Sequence, residues 1–131
     1  MNNYNKLTIE AQKQFIDIII EELQFSCVNN ESLVETYYDN LQDLHHKCFN
    51  EDYFIVGYNK ANKFIETNFD DAFEAIDIVK EYELDHFGEF TTQINSEAIA
   101  NMLAYIIGEE IIYSINEDYN INEAIEYLKT L

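Results

Sequence analysis

Carboxylates recur at helical spacing along this chain, with almost no cation to offset them. The clearest run is Asp70, Glu74, Asp77, Glu81 and Asp85. Steps of three and four residues return to the same side of an α-helix at every turn. Like charges four residues apart destabilise a helix by roughly 0.2–0.5 kcal/mol per pair. A stripe that repeats this cost is best explained if its negative field has a use. The chemistry available to it is electrostatic: it can meet a strongly basic surface, such as the nucleic-acid groove of another protein. Successive turns of a helix are ~5.4 Å apart along the axis, and duplex DNA carries one charge per ~3.4 Å on each strand. The two spacings are of the same order, so a helical stripe can stand in for a run of phosphates.

Two further acidic runs accompany the first. Glu31, Glu35, Asp39 and Asp43 recur every four residues, and Glu109 and Glu110 are followed by Glu117 and Asp118. Asp70 and Asp71 also fall where a helix begins, and the helix dipole favours negative charge there. Glu81 and Asp85 lie toward the opposite end of that dipole, so capping does not account for them. The candidate partner-binding residues are therefore Asp70, Asp71, Glu74, Asp77, Glu81, Asp85, Glu109, Glu110, Glu117 and Asp118.

Other chemistry is poorly served. His45, His46 and Cys48 cluster, and Cys27 and His86 could join them in space. Zinc wants four ligands in near-tetrahedral geometry, and this spacing fits no standard finger or zincin pattern. His45 and Cys48 also fall on the apolar side of a predicted helix. Acid–base catalysis needs two carboxylates in different environments, whereas these stripes are redundant and solvated. There is no glycine-rich phosphate loop, nucleophile elbow or triad-spaced histidine. No metal, no cofactor and no enzymatic activity are expected.

Composition points the same way. The formal net charge of the 131 residues is −19, from 26 acids against 7 lysines and no arginine. A magnitude of about 2–8 already keeps a small domain soluble, so solubility alone does not call for this value. Compositional drift is the rival explanation, since isoleucine and asparagine are abundant, but the same drift should enrich lysine. Direct nucleic-acid binding is excluded by the lack of a basic patch. Hydrophobic residues make up 47% of the chain, enough for one packed domain over residues 1–131. With no signal-peptide pattern, no apolar run of ~18 residues and only two cysteines, a cytoplasmic protein with reduced thiols and no membrane contact is expected. A monomer or homodimer is anticipated.

The elements that must position the acids are helices. There are no prolines and only three glycines to interrupt them. Apolar residues at the 3.6 period predict helices over about 8–25, 31–48, 59–67, 68–87, 96–115 and 122–131. Thr8 is the expected first cap, and Gly88 the stop of the fourth helix. Phe69, Ala72, Phe73, Ile76 and Val79 should form the core side of that helix. The helix at 96–115 is apolar nearly all round and is expected to be central, with Gly108 admitting a close neighbour. Residues 53–57 read as a connector, because one strand without a partner makes no sheet. The fold class is all-α, a compact bundle of five to six helices. Ten tyrosines and nine phenylalanines supply most of the aromatic core. Those near its edge, such as Tyr38, Tyr82, Tyr105 and Tyr119, suit a protein–protein contact.

The segment Tyr58-Asn59-Lys60-Ala61, through Phe64-Ile65, to Asn68-Phe69-Asp70-Asp71 resembles a motif of small bacteriophage proteins. Those proteins carry a Tyr-x-Lys-Ala helix followed by an acidic Phe-Asp-Asp helix start, and Ala98 to Tyr113 resembles their apolar final helix. The resemblance covers about half of the chain and implies fold and phage origin, with no activity attached. The overall character, small, acidic and without catalytic signatures, also resembles phage anti-restriction proteins and CRISPR inhibitors. That resemblance implies, as partner, a basic nucleic-acid-binding host protein, either a restriction enzyme or a CRISPR effector such as Cas9, whose guide and DNA sites are basic. The alternative is a non-enzymatic adaptor whose acidity only serves solubility. Repulsion among the acids should ease as they take up protons, so mild acid is expected to stabilise the fold.

Overall fold

Short polar side chains start the helices. The structure is a computed structural model that describes residues 1–26, 32, 33, 41–49, 55 and 57–131. A 3-10 turn at Tyr4–Lys6 precedes α1 (Ile9–Ser26), and Thr8 Oγ1 accepts from Ala11 N–H at 3.2 Å. Then follow α2 (Leu41–Cys48), α3 (Tyr58–Asn68), α4 (Ala72–Phe87), α5 (Ser96–Ile112) and α6 (Ile121–Leu128). Asp71 caps α4 and Asn95 caps α5. Asn120 and Glu123 form a reciprocal capping box on α6. Each cap satisfies N–H groups that the first helical turn leaves without partners. Gly88, at φ +78°, ends α4 in the left-handed conformation that glycine adopts without strain. No strand is present among the described residues, and the fold is all-α.

Helix α5 is the centre. Ile99, Leu103, Ile106, Ile107, Ile111 and Ile112 are all buried and spread over about two-thirds of the helix's circumference, while the remaining stripe of Ala98, Met102, Tyr105 and Glu109 is half-buried. Helices α2, α3 and α4 pack against it, while α1 packs on α2 and α6. Gly108 sits where Phe49 comes against the helix, and a Cβ there would collide with the Phe49 ring. That ring in turn stacks on Phe15 of α1, centroids 5.3 Å apart. The glycine thus ties α5 to α1 through one aromatic pair.

Loops are held by buried side-chain amides and carboxylates. Asn101 on α5 accepts from Ile55 N–H at 2.8 Å and donates to the Ile55 carbonyl at 2.9 Å. It thereby pairs with that peptide as a neighbouring strand would. Asn68 accepts from Thr8 N–H at 2.9 Å and donates to the Phe64 carbonyl. Glu83, buried on α4, accepts from Thr91 N–H and from both Thr92 N–H and Thr92 Oγ1, the last two at 2.9 Å. It fixes the turn that leads from α4 to α5.

Three expectations need correction. Phe73 does not join the core side of α4 and is 76% exposed. The core line runs through Ala75, Val79 and the unexpected Glu83, while Ala72, also expected on the core side, is exposed and Ile76 is half-buried. Asp70 lies ahead of α4 rather than on its first turn. The helix predicted over about 31–48 begins after Ser32, which forms an isolated antiparallel bridge with Asn120, while Leu33 is already helical. The adjacent Leu33 N–H donates to the Tyr119 carbonyl at 2.9 Å. Residues 27–31, 34–40, 50–54 and 56 lie outside the described residues, and with them Cys27, Tyr38 and most of the predicted run Glu31, Glu35, Asp39 and Asp43.

Replacing Gly108 with alanine separates propensity from packing. Alanine gains about 1 kcal/mol of helix propensity over glycine, but overpacking a filled core costs typically 1–3 kcal/mol. Gly108→Ala is expected to lower the melting temperature, and to lower it less in a Phe49→Leu background. Equal or higher stability of Gly108→Ala in the parent would show that the Phe49 ring moves aside freely.

Candidate acidic interface

Helix α4 divides into three sectors. At about 100° per residue, Ala75, Val79 and Glu83 face the core and are buried, with Ile76 and Tyr82 half-buried beside them. Asp77, Glu81 and Asp85 fall within about 80° of one another on a different side, and all three are exposed. Among the described residues no cation lies within ion-pair distance of them. Phe73, Leu84 and Phe87 occupy the remaining sector, exposed by 76%, 47% and 58%.

The other predicted acids have partners of their own or lie elsewhere. Glu74 shares the stripe's side but accepts from Lys6 Nζ at 2.9 Å and from Asp70 N–H at 2.9 Å. The lysine, and then the Asp70 amide, hold its carboxyl below the usual carboxylate range. Asp71 is spent on its cap, accepting from Glu74 N–H at 2.8 Å. Glu117 and Asp118 are exposed on the turn after α5, where Asp118 N–H donates to Asn116. Asp43, from the earlier run, pairs with Lys47 at 3.7 Å.

Glu109 and Glu110 turn toward different neighbours. Glu110 accepts from Asn3 N–H at 3.1 Å, Tyr4 N–H at 3.0 Å and Asn3 Nδ2 at 2.8 Å, so it caps the N-terminal 3-10 turn. Glu109 accepts from the Tyr82 hydroxyl at 2.5 Å, and its other oxygen lies 3.9 Å from His86 Nε2. Burial and then the Glu109 carboxylate push the Tyr82 phenol well above its ordinary range, so it stays a donor. The Tyr82 ring stacks on His86 with centroids 3.9 Å apart. Sequence reasoning missed this clasp between α4 and α5. The spacing of Tyr82 and His86 was visible as i,i+4, but nothing in the chain announces Glu109 opposite them.

The histidine and cysteine cluster is packed rather than open. His45 is buried, its ring packs at a 45° tilt against that of Tyr105 with centroids 4.2 Å apart, and its Nε2 lies 2.8 Å from the Tyr105 carbonyl. A carbonyl only accepts, so Nε2 carries the proton. Burial lowers the His45 pKa. The Cys48 thiol is free and pushed up to about 12, chiefly by burial. Among the described residues no group of three His, Cys, Asp or Glu is arranged to hold a metal ion. No described helix is long and apolar enough to cross a membrane. No family model matches the chain, nor does any curated protein or solved structure.

The geometry separates two kinds of acid by experiment. Asp77→Lys, Glu81→Lys and Asp85→Lys together should leave the fold intact and close to the parent's stability: the three side chains are exposed, their i,i+4 pairs stay like-charged, and the formal net charge falls from −19 to −13, two charges for each of three changes. Glu110→Ala should cost about 1–3 kcal/mol, because the Asn3 and Tyr4 amides lose their acceptor. Chemical denaturation of both variants checks this, and equal effects would contradict it.

His45 adds a pH dependence opposite in sign to that expected from the acids. With its pKa lowered in the fold, stability is full above the unfolded value of about 6.5 and is lost as pH falls below it. His45→Gln keeps a donor for the Tyr105 carbonyl without the titration. Going from pH 7.5 to 5.5, this variant's melting temperature should fare better than the parent's over the same interval. A parallel change in both would remove His45 as the source.

Proposed function

We propose that the chain is an anti-defence inhibitor that docks the exposed stripe of α4 on a basic nucleic-acid-binding surface of a host nuclease. The observation that carries this reading is the alignment of Asp77, Glu81 and Asp85, exposed and unpaired along one side of α4. Their field speeds encounter with a basic groove and occupies phosphate-binding lysines and arginines. The resemblance to small phage proteins and the acidic composition add to it, and a CRISPR effector such as Cas9 is the first target to test. Glu74, Glu109 and Glu110 have structural duties and contribute mainly to the long-range field. Asp70, Asp71, Glu117 and Asp118 extend it at the ends of α4 and α5.

A second reading is favoured by one specific observation. Phe73, Leu84 and Phe87 are exposed on the same helix, as an adaptor with an apolar contact requires. Salt separates the two, since a charge-led complex weakens with ionic strength and an apolar one does not.

The test is displacement of duplex DNA from a guide-loaded Cas9 in a gel-shift assay. The parent should displace DNA, with a potency that falls as salt rises. The Asp77→Lys, Glu81→Lys, Asp85→Lys variant should lose displacement entirely, because each contact becomes repulsive. Equal potency of the two proteins would reduce the stripe to a solvated face. Failure of the parent on Cas9 moves the same assay to restriction nucleases, and failure there overturns the reading.

A further inference from the structure

Helix α4 presents its acidic sector and its exposed apolar sector edge to edge. Phe73, Leu84 and Phe87 lie within about 60° of one another around the helix, directly beside Asp77, Glu81 and Asp85. From Phe73 to Phe87 the strip is about 21 Å long, four turns of helix. Lys80 lies in the apolar sector between its ends and is exposed, where its methylene stem extends the apolar surface. Charge mimicry of nucleic acid alone has no use for three exposed large side chains, and none of them belongs to the buried core, though the Phe87 ring meets Tyr82 edge-on at 6.1 Å. A patch this apolar beside a patch this charged fits a ligand with the same two faces.

We infer that this face of α4 binds an amphipathic basic helix of the partner, about 14 residues long, which lays its apolar side along Phe73, Leu84 and Phe87 and its lysines or arginines along Asp77, Glu81 and Asp85. The proposal rests on the reading of α4 as the interface and specifies what it grips. A helix is the matching element because it presents apolar and charged residues in adjacent sectors at the same pitch. Charge complementarity selects a basic partner over a second copy of this chain. Two copies paired through α4 would set one acidic stripe beside another, each on a protein of formal net charge −19.

The experiment uses the full chain and two synthetic probes followed by fluorescence anisotropy at low and moderate salt. One is an 18-residue amphipathic helix of leucine and lysine, and the other is oligolysine of equal charge. The amphipathic probe should bind at least tenfold more tightly than oligolysine. Phe73→Ser, Leu84→Ser and Phe87→Ser together should remove that advantage while leaving the salt dependence of the residual binding unchanged. These side chains are exposed, so the variant should fold, which circular dichroism verifies. Asp77→Asn, Glu81→Gln and Asp85→Asn should weaken both probes and flatten their salt dependence.

If the serine variant binds the amphipathic probe as the parent does, or if oligolysine binds equally well, the apolar strip takes no part and the inference is overturned. DNA displacement by the serine variant would in that case still support the charge-led reading on its own. If only the acidic variant is silent and the serine variant fails, the inhibitor reading fails and the inference with it, leaving a purely apolar adaptor. A concentration-dependent dimer in sedimentation, abolished by the serine changes, would assign the strip to self-association and also overturn the inference.

Discussion

A helix that is apolar over most of its circumference has to be covered on several sides, and α5 is such a helix. Burial of its isoleucines and leucines is the main gain available, at roughly 25 cal/mol per Å² of apolar surface removed from water. That requirement sets the arrangement of α2, α3 and α4 around it. It also explains Gly108, where the Phe49 ring needs the space of a missing side chain. Polar residues on α5 face its neighbours for a purpose: Asn101 holds the peptide at Ile55, and Glu110 holds the N-terminal turn.

The chain has too few lysines to neutralise its carboxylates, and the fold answers with neutral donors. Glu83 takes N–H and O–H groups from Thr91 and Thr92, Glu109 a phenol, Glu110 two backbone amides and an asparagine, and Asp71 and Glu123 the amides of helix starts. Hydrogen bonds to a charged acceptor are worth more than neutral ones, so each of these acids organises a turn or a helix end. Part of the acidic composition is therefore architectural. The acids left over are informative, and on α4 they are Asp77, Glu81 and Asp85.

Those residual acids share a helix with an apolar strip, and the two together make a more specific surface than either. Charge alone attracts any basic groove and is screened by salt. An apolar strip alone invites self-association. Set side by side, the acids discourage pairing between copies, while the strip rewards a ligand whose basic residues flank an apolar face.

The all-α class, the approximate course of the helices, the Thr8 cap, the Gly88 stop and the centrality of α5 were legible in the chain. Period and capping are local, and a helix carries both within a few residues. The role of Gly108 was legible too, since a glycine inside an apolar helix signals close approach. The exposure of Phe73 was not, because spacing fixes the angles between side chains on a helix, while only packing against α5 selects which sector is covered. Nor were the duties of Glu83, Glu109 and Glu110, which depend on donors from other parts of the fold. Glu110 meets Asn3 and Tyr4, more than a hundred residues away in the chain. A carboxylate at helical spacing looks the same in sequence whether it is free or held. Only the packing of α4 and of the N-terminal turn against α5 decided which acids are spent inside the molecule and which stay exposed and unpaired.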